Sequence, residues 1–131
     1  MINIDNYKKY APAIVRVGVS FVFLWFGLNQ IFDTSSFLGW LPSWAYSIPI
    51  SGSVLVIMSG ITEVIFGLLL LLGLFTRISA LILLLHLIVI ITGLGYNDIM
   101  IRDIGLAFAT LSVLVNGKDV WSLSKWLHLR K

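Results

Sequence analysis

Cysteine is absent from this 131-residue chain. That excludes a disulfide framework, a thiolate nucleophile, a sulfur-ligated metal centre and any relay of electrons through a dithiol. Charge is scarce as well: 11% of the residues are Asp, Glu, Lys or Arg, where a soluble domain carries about 25%. The two histidines, His86 and His128, are too few and too differently set for a haem or zinc site, so no metal or haem is expected. A formal net charge of +3 is too small to point to nucleic acid. What remains is apolar: 59% of the chain is hydrophobic and its mean hydropathy is +1.00. Lipid, rather than water, should solvate most of such a surface.

The stretch 50–74 organises the rest. It is apolar from end to end, apart from small residues and one carboxylate, Glu63. About ten residues, or ~15 Å of helix at 1.5 Å per residue, separate Glu63 from a start near Ser53, which places it near the middle of a hydrocarbon layer about 30 Å thick. An ionisable group at that depth should face protein, a partner or water. Gly60, Glu63 and Gly67 share one helical face, and the glycines admit a second helix on the side from which the carboxylate projects.

The expected architecture is all-α: a single domain, 1–131, forming an integral membrane four-helix bundle, left-handed, antiparallel and up-down. Its spans are expected at about 12–32, 54–74, 78–94 and 99–115. Pro12 suits the first turn of the first span. Arg16, and the lack of a small-x-small site, argue against a signal peptide there. Residues 33–53 contain no Lys or Arg but hold Trp40, Trp44, Tyr46, Pro42, Pro49 and Gly52. This predicts an interfacial or re-entrant piece folded over the bundle mouth. Thr76 and Arg77 make a turn tight enough to set the second and third spans side by side. Arg102 and Asp103 make the fourth span the least apolar, and Asn116-Gly117 ends it. In 118–131, Val120, Leu123 and Leu127 share a face, predicting a short amphipathic helix on an anionic leaflet. With four spans, Lys8, Lys9, Arg16, Arg77, Lys118, Lys125, Arg130 and Lys131 fall on one side and Arg102 alone on the other. The expectation is a multi-pass protein of the cell membrane with both termini cytoplasmic.

Each span carries a stripe of polar or small residues in three- and four-residue steps: Arg16, Ser20, Phe23, Gly27 and Gln30; Gly60, Glu63 and Gly67; Ser79, His86 and Gly93; Arg102, Gly105, Ala109, Ser112 and Asn116. These stripes are expected to face one another. Glu63 and His86 then meet near the midplane. Arg102 and Asp103 lie at the outer level of Asn29 and Gln30, while Arg16 and Arg77 snorkel to headgroups at the inner end. The result is a polar-lined pocket for an amphipathic ligand: a quinone, a lipid or a sterol-like molecule. Glu63 and His86 are the candidate proton-exchanging groups. Glu63, His86, Arg102, Asp103, Asn29, Gln30 and Trp25 are the candidate ligand-binding residues. Two plainer alternatives stand beside these: Glu63 as a structural pin paired with His86 or Arg102, and Trp25 facing lipid.

The run Arg16-Val17-Gly18 to Phe23 and Gly27, then Gly60, Glu63, Gly67 and Leu71-Leu72-Gly73-Leu74-Phe75-Thr76-Arg77, resembles the DoxX family of small four-helix membrane proteins. Arg102-Asp103 through Asn116-Gly117 to Trp121-Ser122-Leu123 is similar to that family's closing segment. Gln30 stands where the family pattern has a lysine. The resemblance implies one of two roles. One is a quinone-interacting subunit of a membrane oxidoreductase, in which any redox role falls to a bound quinone or a partner subunit. The other is a non-catalytic scaffold, chaperone or lipid-binding module. The expected partners are the lipid bilayer and either a redox subunit or a second copy of the chain, with no nucleic acid. A transporter is disfavoured, because nothing in the sequence indicates a broken central helix or an internal repeat.

Overall fold

A computed structural model describes residues 3–128. Ile4–Tyr10 forms 3₁₀ turns that lead into α1, Ala11–Phe32, with Pro12 in its first turn. Two further 3₁₀ segments, Thr34–Trp40 and Ser43–Ser47, precede α2, Gly52–Leu72. Then follow α3, Thr76–Leu94, α4, Asp98–Asn116, and the short α5, Leu123–His128. Three helical stretches, Ile4–Phe32, Gly52–Leu72 and Thr76–Leu94, are long and apolar enough to cross a membrane. α4 matches α3 in length but carries Asp98, Arg102 and Asp103 in its first two turns.

The helix ends follow from local chemistry. The Ser51 hydroxyl accepts from the Val54 amide at the start of α2, and the Asn97 side chain accepts from the Met100 amide at the start of α4. These caps satisfy donors that have no partner inside the helix. α2 ends in a Schellman motif. Gly73 adopts φ +72°, its N–H donates to Leu70 O, and the Leu74 N–H reaches back to Leu69 O. Only glycine takes that left-handed position without strain.

α1 and α2 form the most extensive pair, and α3 and α4 the next; the α1–α4 and α2–α3 seams are thinner. At the α1–α2 crossing Gly27 faces Gly60, and Gly67 faces Phe23 and Leu24. A Cβ on Gly27 would come within 2.8 Å of the Gly60 carbonyl oxygen, so the backbones touch because neither side carries a side chain. Residues rising along α2 meet residues falling along α1, so the two helices are antiparallel. Arg77, at the start of α3, reaches Val115 O at the end of α4 and packs against Gly117, which makes that pair antiparallel too. Val19, Phe23, Leu70, Ala80, Leu83, Leu87 and Val113 form the apolar centre.

On α1 the residues Arg16, Ser20, Phe23, Gly27 and Gln30 are all buried, as are Gly60, Glu63 and Gly67 on α2. On α3 the buried line is Thr76, Ser79, Ala80, Leu83 and Leu87, with His86 at its margin on the side of α2. On α4 the expected stripe is one residue out of phase. Asp103, Thr110 and Val113 are buried, whereas Arg102, Gly105, Ser112 and Asn116 are exposed. Two lines of equal spacing run along α4, and packing against α3 selects the less polar one.

The end of the bundle near residues 10, 73 and 117, here the tail end, also departs from expectation. Arg16 does not snorkel; it is 1% exposed. Its Nε and Nη2 donate to the two carboxylate oxygens of Asp119 at 2.6 and 3.2 Å, and its Nη1 donates to Leu70 O and Leu71 O, both at 2.6 Å. One guanidinium therefore caps the carbonyl end of α2, where a cation is favoured, and ties down the tail. The Trp121 amide donates to Asp119 Oδ1, the Asp119 amide donates to Ser122 Oγ, and the Ser124 amide donates to Gly73 O. The tail is thus anchored through Asp119 and Ser122 rather than only resting on a surface, while Trp121, Leu123, Trp126 and Leu127 stay exposed. Arg130 and Lys131 lie outside the described residues.

Candidate functional site

At the opposite, loop end the four long helices enclose a cavity of about 410 Å³. Its walls are Val22, Phe23 and Phe26 of α1, Val56 of α2, Leu87, Ile90 and Leu94 of α3, and Ile99 and Leu106 of α4. Ser36, Phe37, Trp40, Leu41 and Pro42 roof it. The aromatic connection thus folds over the bundle mouth. Two glycines let it sit there. Gly52 is covered by Leu38 and Leu41, and Gly93 is in direct contact with Pro42, so that a Cβ on Gly93 would occupy the proline ring's position.

The polar groups gather in two clusters. At the bottom, the Gln30 amide nitrogen donates to Glu63 Oε2 at 3.0 Å. His86 Nε2 lies 3.1 Å from Glu63 Oε1 and 3.0 Å from Ser59 Oγ. One ring nitrogen shared by a carboxylate and a hydroxyl holds one proton position. With Nε2 protonated the imidazole donates to Glu63, and with Nε2 bare it accepts from Ser59 or from a protonated Glu63. Glu63, Gln30 and Ser59 line the cavity, and His86 stands behind Glu63.

Near the rim, Arg102 Nε and Nη2 donate to Asp103 Oδ1 at 3.0 and 2.8 Å. Asp103 is buried, while the Arg102 side chain is 53% exposed. The guanidinium also lies over the Phe26 ring, 4.8 Å from its centroid, a cation–π stack joining α4 to α1.

Of the residues proposed from sequence, Glu63, His86, Gln30, Arg102 and Asp103 lie in or directly behind this cavity. Trp25 and Asn29 do not. Trp25 is 67% exposed, and the Asn29 amide turns back to donate to the Trp25 carbonyl at 2.7 Å. Both sit on the α1 face away from Gln30, and the Trp25 side chain lies on the outside of the bundle. Ser59 was missed, although it lies one helical turn before Glu63 on the same face, a spacing that could have revealed it. Of the roof residues, Trp40 and Pro42 marked the segment in the sequence, whereas Ser36, Phe37 and Leu41 carried no signal of their own.

Apolar helices around a polar-floored cavity define a small helical membrane protein. Within that class the chain belongs to the DoxX family, whose model matches residues 11–95. The matched part contains α1, α2 and α3 with the roof between them, and so Gln30, Ser59, Glu63 and His86; α4 and the tail lie beyond it. Comparison with curated proteins and with solved structures gives no match.

Proposed function

We propose that this DoxX-family chain crosses the cell membrane four times with both termini cytoplasmic, and that its cavity takes an amphipathic ligand whose polar head meets Glu63. Lys8, Lys9, Arg77, Lys118 and Lys125 gather at the tail end, against Arg102 at the loop end. Arg16 leaves this comparison because Asp119 engages it inside the bundle; the bias survives without it. α4 has 19 residues, ~28 Å at 1.5 Å per residue, enough for a fourth span. Its polar first turns are supported by the Arg102–Asp103 pair.

The observation that carries the reading is a buried carboxylate at the bottom of a largely apolar cavity, with Gln30, His86 and Ser59 around it. A quinone fits this donor and acceptor set. The walls accept a ring and tail, Gln30 and Arg102 offer N–H groups to its oxygens, and the Glu63–His86 unit holds a proton between Oε1 and Nε2. A bound quinone would supply coupled electron and proton transfer. With no cysteine in the chain, electrons must come from a partner redox subunit or a diffusible donor. A second reading rests on a specific contact: both Glu63 oxygens are already engaged in hydrogen bonds within the protein, Oε2 with Gln30 and Oε1 with His86. This favours a structural pin in a non-catalytic scaffold, chaperone or lipid-binding module.

Mass spectrometry of small molecules co-purifying after gentle extraction separates the two, with Glu63→Ala and Glu63→Gln as controls. A stoichiometric amphiphile is expected with the native chain. Its affinity should fall at least about tenfold in Glu63→Gln, equivalent to about 1.4 kcal/mol, with stability held within about 1 kcal/mol. Collapse of stability with ligand retained in the folded fraction would establish the pin and remove the ligand role.

A further inference from the structure

The cavity wall is closed along α2 and α3, capped by the roof, and thin between α1 and α4. On the α2 and α3 sides Val56 and Leu87 are buried, and no cavity-lining residue there is exposed. On the roof side Ser36 and Trp40 are exposed, but Pro42 is buried against Gly93 and Leu41 is packed over Gly52, which fasten the roof to α3 and α2. Among the four long helices, the exposed residues of the lining are Val22 of α1, 36% exposed, and Arg102 of α4. They flank the α1–α4 seam, one of the thinner helix contacts. Across it lies one polar bridge, the Arg102 guanidinium stacked on Phe26. Arg102 is pinned from behind by Asp103 through Nε and Nη2, while its Nη1 makes no hydrogen bond among the described residues. A side chain that can swing on a flexible stem, over a ring that stays, is a gate rather than a wall.

The charges around the route select what passes. Asp103 and Glu63 are carboxylates on the lining, and Arg102 is its permanent cation. An anionic head would add a third negative charge to a cavity of low dielectric, and a cationic head would first have to pass Arg102. An uncharged head with oxygen atoms meets neither barrier. It can accept from Arg102 Nη1 at the seam and then from the second N–H of Gln30, since among the described residues that amide donates only to Glu63.

We propose that the ligand enters from the bilayer through the α1–α4 seam, gated by Arg102 on Phe26, and that it is a lipid-soluble molecule with an uncharged, oxygen-bearing head. This rests on the cavity being an amphiphile site, as proposed above, and adds its route and charge class. The roof is a fixed cap, and the apolar tail stays between α1 and α4 in contact with lipid.

Because the chain has no cysteine, an introduced thiol is unique. Val22→Cys and Ser36→Cys variants in lipid nanodiscs are loaded with radiolabelled decylubiquinone, and release into excess unlabelled probe is timed before and after attaching a bulky maleimide. Leu106→Cys, on the α4 side of the seam, replaces Val22→Cys should that variant fail to fold. Labelling at the seam should slow release at least about tenfold, and labelling at the roof less than about twofold. Slowing at the roof and not at the seam would overturn the route while leaving the amphiphile site standing. Retention of oleate but not decylubiquinone would overturn the uncharged head. Retention of neither by the unmodified protein would remove the amphiphile reading itself, and this inference with it.

Discussion

At the tail end, Arg16 and Asp119 meet in a sealed contact; toward the loop end, Glu63 and His86 meet beside a cavity. Both are oppositely ionisable pairs inside an apolar bundle, and both join segments far apart in sequence. They differ in what surrounds them. Arg16 donates to two carboxylate oxygens and two carbonyls, and the cavity does not reach it. Glu63 is held by a neutral amide and a histidine whose one ring nitrogen it shares with Ser59, and open volume lies in front of it. A buried charge is therefore not in itself a mark of function. The saturated pair is a clasp, and the pair with spare proton capacity facing empty volume is the candidate site. The two differ accordingly in how they should respond to mutation.

The largest effect should come from the clasp. Asp119→Ala leaves the Arg16 guanidinium buried without its counter-charge, which costs about 3–5 kcal/mol. Thermal unfolding in detergent should show this as a large loss of stability. Ligand content in the remaining folded fraction should be unaffected, because the tail end contributes nothing to the cavity lining. An Asp119→Ala protein as stable as the native chain would mean that the clasp is decorative, and the contrast between the two ends would fail.

Acid provides a gentler probe of the same contact. Burial works against ionisation of Asp119, but the hydrogen bond from Arg16, the Trp121 amide, the Arg16 charge and Ser122 outweigh it, holding the carboxyl below its ordinary 3.8. A carboxyl with a depressed folded pKa stabilises the fold fully above its unfolded value, and that contribution disappears as pH falls through the folded one. Thermal stability of the native chain should therefore hold down to about pH 4 and decline below it. Asp119→Asn should start lower and lose that acid-side decline. An identical decline in both proteins would assign it to other carboxyl groups.

Next in size is the α1–α2 crossing that carries both regions. Gly27→Ala would place a methyl within 3.0 Å of Gly60 O, Val64 and the Glu63 Cβ. Backbone cannot yield there as a flexible side chain would, so overpacking of about 1–3 kcal/mol is expected. Because the shift is delivered at Glu63, ligand affinity should fall along with stability. Gly105→Ala is the control: nothing lies within 4 Å of its added carbon, and a helical alanine in place of glycine should be neutral or stabilising by up to about 1 kcal/mol.

Gly105 also shows where sequence reading ends. The phases of α1 and α2 were legible because glycine, serine and one charge mark a single face on each, and a helix that must bury a carboxylate has little choice of rotation. α4 offered two equally spaced lines one residue apart. Polarity favoured Arg102, Gly105, Ser112 and Asn116; the structure buries Asp103, Thr110 and Val113. A small side chain permits close packing without requiring it, so exposed glycine and serine can remain on the outside of a helix. The meeting of Glu63 and His86 was readable from depth alone, since neighbouring antiparallel helices share levels. The Arg16–Asp119 clasp was not, because 103 residues separate its halves and no local pattern distinguishes a snorkelling arginine from a capped one. At Gln30, where the family resemblance implies a lysine, the structure gives the departure a meaning: its amide faces Glu63, so the carboxylate receives a hydrogen bond there rather than a compensating charge.

The smallest expected effect tests the roof. Gly93→Ala places a methyl against Pro42, and one of the two must move. α3 is continuous there, whereas Pro42 lies between two short 3₁₀ segments, so the roof should lift while the helix stays. Surface loops absorb such shifts at little cost, and replacing a helical glycine by alanine gives back up to about 1 kcal/mol; net stability should change by less than about 1 kcal/mol. Ligand kinetics discriminate further. If the roof is a fixed cap and traffic runs through the α1–α4 seam, lifting it opens a second route, and release should quicken while stability holds. A Gly93→Ala protein with unchanged release would place the resistance to ligand loss at the floor, in the Glu63 and Gln30 contacts. The loop end would then resemble the clasp more closely than its open volume implies.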